Sequence, residues 1–253
     1  MQLRCVGKKS ASSCAVISCN NIPTKVEILL QTFISAVKGN TTVNYNRVRD
    51  ILDELAGHDK SVFNLNDAAR MMNKSRKYVS KLLATSSKVA RIERGKYFII
   101  TGKGIDLYEI SSQMVFPSYI SLFAALQYYS LTDQVITTIS VVSLKRHRPV
   151  ALDGNLIEFR SIQKGRFFGY AKDGNTYVAT VEKAIIDALY FNSPAISYVQ
   201  EAFHEAVARD IVDTDRLASF AARMDSVSVV RKVDSLLNSK NKGRKESGGG
   251  RKR

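Results

Sequence analysis

The sequence predicts an α+β protein, with an N-terminal winged helix-turn-helix followed by a C-terminal domain that has a small β-sheet and several helices. Three observations predict it. A helix-turn-helix pattern over residues 64–83 leads directly into two β-type runs around Arg94-Gly95. Short β-type runs between residues 135 and 180 are punctuated by turn residues, and amphipathic segments then follow to residue 237. Such an order, strands and then a run of helices, is the pattern of an α+β domain. Finally, positive charge is concentrated in the first half and at the C-terminal end.

The charge narrows the function classes. The 253 residues carry 38 Lys+Arg against 23 Asp+Glu, a formal net charge of +15. Residues 44–103 hold 13 basic and 6 acidic side chains, whereas residues 104–237 hold 13 and 15. Residues 238–253 hold 7 and 1. A basic half beside a nearly neutral half suggests that one module meets a polyanion and the other does something else. At 45% hydrophobic the chain is not disordered throughout. It lacks the roughly 18 consecutive apolar residues of a membrane span.

Residues 1–23 read as a disordered leader, rich in Ser and without hydrophobic period. Lys8 and Lys9 precede Cys14-Ala-Val-Ile17, an apolar piece too short for a secretory signal. Cys5, Cys14 and Cys19 all lie in this leader and form no CxxC pair. Neither a zinc site nor a disulfide framework is expected, and the expected location is cytoplasmic. The DNA-binding domain is placed at 24–103. It starts with an extra helix over 24–38, where Thr24 and Glu27 form a capping box and Val26, Leu29, Leu30, Phe33, Ile34 and Val37 share a face. A second helix is expected over 46–56, ended by Gly57.

The helix-turn-helix carries the candidate contacts. Leu65, Ala68, Ala69 and Met72 give a short helix a small-residue face that lets another helix approach closely. Asn73-Lys74 is the turn, and Ser75 caps the next helix. There Val79, Leu82 and Leu83 point inward, leaving Arg76, Lys77, Tyr78, Ser80 and Lys81 outside. Side chains of these types near a helix N-terminus are those that reach base edges and phosphates in a major groove. The hairpin over 88–100 supplies the wing, with Val89, Ile92, Tyr97 and Ile99 inward and Arg91, Arg94 and Lys96 at the tip. The candidate contact set for double-stranded DNA is Asn73, Lys74, Ser75, Arg76, Lys77, Tyr78, Ser80, Lys81, Arg91, Arg94 and Lys96.

The C-terminal domain is placed at 104–237. Thr101–Gln113 reads as a connector with a helical turn around 105–110. Pro117-Ser118 opens a helix that is apolar on most sides through Tyr129. Strands are expected over 135–142, 156–162, 166–170 and 177–180, with Asp173-Gly174-Asn175 as a turn. Helices are expected over 181–191, 196–209, 214–224 and 227–237, and residues 238–253 read as a basic disordered tail.

No catalytic constellation stands out. His58, His147 and His204 have no metal-ligand spacing, and the chain has neither a phosphate-binding glycine loop nor a G-x-S-x-G elbow. Asp153, Glu158 and Arg160 bear a distant likeness to a metal-dependent nuclease site, with a strand's polar face as the simpler reading. Glu182, Lys183 and Asp187 read as a helix N-terminus. The expectation is a protein that is not an enzyme, with no cofactor, metal or membrane partner.

The stretch Pro117-Ser-Tyr-Ile-Ser-Leu-Phe-Ala-Ala-Leu-Gln-Tyr-Tyr-Ser-Leu-Thr-Asp-Gln134, then β-strands, then Ala179-Thr-Val-Glu-Lys-Ala-Ile-Ile-Asp-Ala-Leu-Tyr190, resembles the AbiEi family of antitoxins and transcriptional regulators. The resemblance covers roughly residues 45–235 and departs at the leader, the helix at 24–38 and the basic tail. It implies a winged helix that binds promoter repeats and represses its own operon. It also implies a second domain that counteracts a nucleotidyltransferase toxin of a type IV toxin-antitoxin system, without necessarily forming a stable complex. The resemblance points to the neighbourhood of Glu182, Lys183 and Asp187 for the antitoxin activity. The alternative is a winged-helix transcription factor without a toxin partner, whose second domain senses a ligand or dimerises.

Overall fold

The computed structural model describes residues 16–17, 61–100, 106–135 and 137–247. The rest of the leader with its cysteines, the helices expected over 24–38 and 46–56, and residues 101–105 and 248–253 lie outside the described residues. The described residues form an α+β architecture of eight α-helices and two sheets. None of these helices is long and apolar enough to cross a membrane.

The smaller sheet is built locally. It contains β2 (Val62–Asn64), β3 (Val89–Glu93) and β4 (Lys96–Ile99), antiparallel in the order β2-β4-β3. Between β2 and β3 lie α1 (Leu65–Met71) and α2 (Arg76–Ala84). The connecting turn places Asn73 at φ 50, a left-handed conformation that Asn tolerates better than most residues. The Ser75 side chain then accepts the Tyr78 N–H and starts α2. Phe63, Leu65, Ala68, Ala69, Met72, Val79, Leu83, Val89, Tyr97 and Ile99 form one core. The β3–β4 sheet is covered on both faces, because Ile92 and Phe98 pack instead into the core of the larger sheet. The small unit is also tied at Ser61 to the helix Leu107–Gln113, where the Gln113 side chain accepts the Ser61 and Val62 N–H groups at 2.9 and 3.2 Å.

The larger sheet runs β1-β9-β10-β5-β6-β8-β7. Its strands are β1 (Val16–Ile17), β5 (Ser118–Ile120), β6 (Thr138–Ser143), β7 (Val150–Leu152), β8 (Asn155–Ser161), β9 (Tyr170–Asp173) and β10 (Thr176–Ala179). The pairs β10–β5 and β6–β8 are parallel and the others antiparallel. Helices α3 (Leu107–Gln113), α4 (Leu122–Tyr128), α5 (Val181–Phe191), α6 (Ile196–Ala208), α7 (Thr214–Arg223) and α8 (Val227–Ser247) complete the fold. Every residue of α5 from Val181 to Leu189 is buried, so it forms the helical centre of the core.

Five expectations need correction. Ser118–Ile120 is a strand rather than the start of a helix, and α4 begins only at Leu122. A short apolar segment reads alike as buried strand or buried helix, and pairing with β10 and β6 decides it here. The strand expected over 135–142 begins at Thr138, and Val135 is 88% exposed. The strand expected over 166–170 is absent; Lys164–Arg166 is a single 3-10 turn and β9 starts at Tyr170. The bend between them, at Gly169 (φ +72), has no room for a Cβ, which would sit 2.8 Å from the Phe220 ring and 3.0 Å from Lys183 Cβ. The leader is not wholly without structure, because Val16–Ile17 pairs with the edge of β9. Finally, α8 continues past Leu237 to Ser247, into the expected tail. That continuation is free of proline, and adding residues to an anchored helix is cheaper than starting a new one.

Candidate nucleic-acid interface and a buried ion pair

The first candidate site is the outer face of α2. Val79 and Leu83, four residues apart, bury one side of the helix. Lys77 and Lys81, also four apart, lie on the opposite side, with Tyr78 beside them at 51% exposed. Arg76 is exposed in the first turn, next to the exposed Asn73, Lys74 and Ser75. Ser80 is half-buried, because it follows Val79 and lies near the core stripe. Among the described residues, Lys74, Arg76, Lys77 and Lys81 have no ion-pair partner.

The hairpin β3–β4 is more mixed. Arg94 is exposed in its turn, and Gly95 at φ +82 closes it. Arg91 is exposed, with its Nε donating to the Glu93 carbonyl at 3.3 Å. Lys96 departs from the expected free wing cation, because its Nζ lies 2.9 Å from Glu93 Oε1. The Glu93 carboxylate also faces His147 Nε2 at 3.1 Å and Arg148 Nη2 at 3.8 Å. Burial alone would raise the Glu93 pKa; Lys96 and His147 outweigh it and hold the carboxyl below its ordinary value.

His147 and Arg148 belong to the loop between β6 and β7, so the fold brings this loop, with the exposed Lys145, Arg146 and Arg148, to the turn end of the hairpin. The candidate contact set lacks this loop. The only sequence signal for it was the run Lys145-Arg-His-Arg148, and its partner Glu93 lies more than fifty residues away.

The second candidate site is internal. Lys183 and Asp187 are both 0% exposed, and Glu182 is buried with them. Lys183 Nζ donates to Asp187 Oδ1 at 2.6 Å, the Arg166 carbonyl at 3.0 Å and Met224 Sδ at 3.3 Å. The ammonium has three N–H donors, and all three are used. It also lies 4.4 Å from the centre of the Phe168 ring. Asp187 Oδ2 accepts from Ser121 Oγ at 2.7 Å and Tyr119 OH at 3.0 Å. Glu182 Oε1 accepts the Asp213 N–H at 3.0 Å, beside the start of α7. These three side chains therefore tie β5, α4, α5 and α7 together, and none of them reaches the surface.

The third set, Asp153, Glu158 and Arg160, does not converge. Asp153 sits in the β7–β8 turn at φ 49, and Glu158 pairs with Arg160 at 3.0 Å. Among the described residues no three His, Cys, Asp or Glu side chains gather to hold a metal ion. No protein-family model matches the chain, and no curated protein matches it.

Proposed function

We propose that this chain is a sequence-specific, double-stranded-DNA-binding repressor, with residues 61–100 at the heart of a winged helix. The observation that carries the proposal is the exposed, basic outer face of α2. Arg76, Lys77, Tyr78 and Lys81 project from a capped helix that follows a tight turn, opposite its buried stripe. An α-helix with its side chains is about 10–12 Å across, which fits the roughly 12 Å width of a major groove. Lys77 and Lys81 supply phosphate or guanine contacts, and Tyr78 supplies apolar contact with a thymine methyl group. Arg91 and Arg94 of the hairpin and Lys145 and Arg146 of the β6–β7 loop are exposed cations outside α2.

The test is fluorescence anisotropy of the full chain on its own upstream DNA and on scrambled DNA, over a salt series. Specific binding with a steep log–log salt dependence is expected. A variant with Arg76, Lys77 and Lys81 all changed to Ala should lose operator preference and flatten the salt slope by about 3 units. Unchanged promoter affinity in that variant refutes the assignment of α2.

The antitoxin role rests on the resemblance to the AbiEi family. It is tested by co-expression with a neighbouring nucleotidyltransferase, where rescue of growth supports it. A second reading, a transcription factor without a toxin partner, is favoured by the burial of Glu182, Lys183 and Asp187. In this fold these side chains stabilise the core and meet no partner directly. Failure of rescue alongside intact promoter binding selects this second reading.

A further inference from the structure

The contact between the hairpin and the β6–β7 loop has a chemistry of its own. His147 Nδ1 lies 2.8 Å from the Arg148 carbonyl oxygen. A carbonyl oxygen only accepts, so the Nδ1 atom carries a proton. The proton that His147 gains or loses is therefore on Nε2. That atom faces two groups of opposite character, the Glu93 carboxylate at 3.1 Å and the Lys96 ammonium at 3.5 Å. With Nε2 protonated, the ring donates to Glu93 and adds a positive charge next to it. With Nε2 bare, its lone pair opposes the carboxylate and accepts only from Lys96. One ring thus has two incompatible hydrogen-bond arrangements, each drawing on a different strand of the hairpin.

We propose that His147 and Glu93 form a proton-gated latch that clamps the end of the β3–β4 hairpin to the larger sheet. The clamp closes when Nε2 is protonated and slackens when it is not. Among the described residues, the charged groups at the ring and its partner carboxylate come from three elements. Glu93 comes from β3, Lys96 from β4 and Arg148 from the ring's own loop, and β8 contributes only the uncharged Phe159 ring at 4.7 Å. Ile92 and Phe98 are packed in the core of the larger sheet, so the gate acts on Glu93–Lys96 and not on the whole hairpin. The sign follows directly. Raising the pH removes the Nε2 proton and slackens the clamp. Strong acid slackens it again, once Glu93 protonates below the ordinary carboxylate range. The latch acts whatever the hairpin binds, so it does not rest on the DNA-binding proposal.

The experiment uses the full-length, ¹⁵N-labelled protein titrated from about pH 5 to pH 8, the range over which histidine changes charge. Two-bond proton–nitrogen spectra report the state of each ring nitrogen, and backbone amide spectra report the hairpin. The expected result is an Nδ1 that stays protonated while Nε2 titrates, with the amides of Glu93, Arg94, Gly95 and Lys96 moving along the same curve. In Glu93→Gln the ring still titrates but the hairpin amides lose that shift, and in His147→Gln the shift is lost as well. The latch is overturned if the neutral ring carries its proton on Nε2, or if the hairpin amides ignore the ring's titration. It is equally overturned if either variant keeps the wild-type pH response. Should His147→Gln fail to fold, the wild-type ring spectra and Glu93→Gln decide the matter.

Discussion

Asp187→Asn should destabilise the protein sharply although it changes almost no volume. Asparagine keeps an oxygen that accepts from Ser121 and Tyr119, so the hydrogen bonds on that side survive. What disappears is the only negative charge, among the described residues, within bonding distance of Lys183 Nζ, which is left with a carbonyl and a thioether at 0% exposure. Breaking a buried pair from one side costs about 3–5 kcal/mol, because the stranded ion keeps its desolvation penalty without its attraction. Urea unfolding followed by far-ultraviolet circular dichroism reads this directly. With a slope of about 2–3 kcal/mol per M, the midpoint should fall by about 1–2.5 M. Adding Lys183→Met removes the stranded charge and keeps the packing against Phe168, so the double variant should recover most of the loss. That recovery separates a charge effect from a shape effect. A midpoint for Asp187→Asn within about 0.3 M of wild type refutes the reasoning. So does a double variant less stable than the single one.

Other outcomes follow from the same geometry. Gly169→Ala forces a Cβ against Phe220 and Lys183 at a positive φ, and should cost about 2–4 kcal/mol in the same unfolding assay. Ser75→Ala removes the cap of α2 and should cost about 1 kcal/mol, with DNA affinity falling because the helix start frays. The folded Glu93 carboxyl has a depressed pKa, so its contribution to stability is present above its unfolded pKa and is lost as pH falls through its lower folded value. Glu93→Gln should therefore lower stability most near neutral pH, flatten part of the acid limb of a stability–pH profile, and change little once the pH is below the folded carboxyl's own pKa.

The legible parts of the sequence were those with local causes. The helix expected over 181–191 has those bounds in the fold, and both ends have local causes: Thr180 caps its start and Asn192 adopts a left-handed stop at φ 53. The turn at Asn73 and the cap at Ser75 belong to the same class. Ser118–Ile120 was not legible, since its residues are buried and their identity as a strand comes from neighbours far along the chain. The strand Val62–Asn64 was missed for the same reason: three residues carry too little pattern, and pairing with β4 defines them. Phe167 and Phe168 look like strand residues, yet both are buried beside a glycine that bends the chain.

For the candidate sites, residue types and charge signs could be read in advance. The exposed cations of α2 follow from helical spacing and a two-residue buried stripe, which are properties of one short segment. Lys96 shows the limit. Its sequence neighbours mark it as a wing cation, but Glu93, His147 and Arg148 hold the cluster that engages it, and half of that cluster comes from another part of the chain. Lys183 and Asp187 show it more strongly, because an i,i+4 ion pair on a helix is ordinarily a surface feature. Secondary structure depends mainly on nearby residues, so caps, turns and charge distribution were set by the primary order. The energy of a charge depends on the solvent it loses and the partners it finds. Only the packed chain decided which cations stay free to meet a polyanion and which are spent inside the protein.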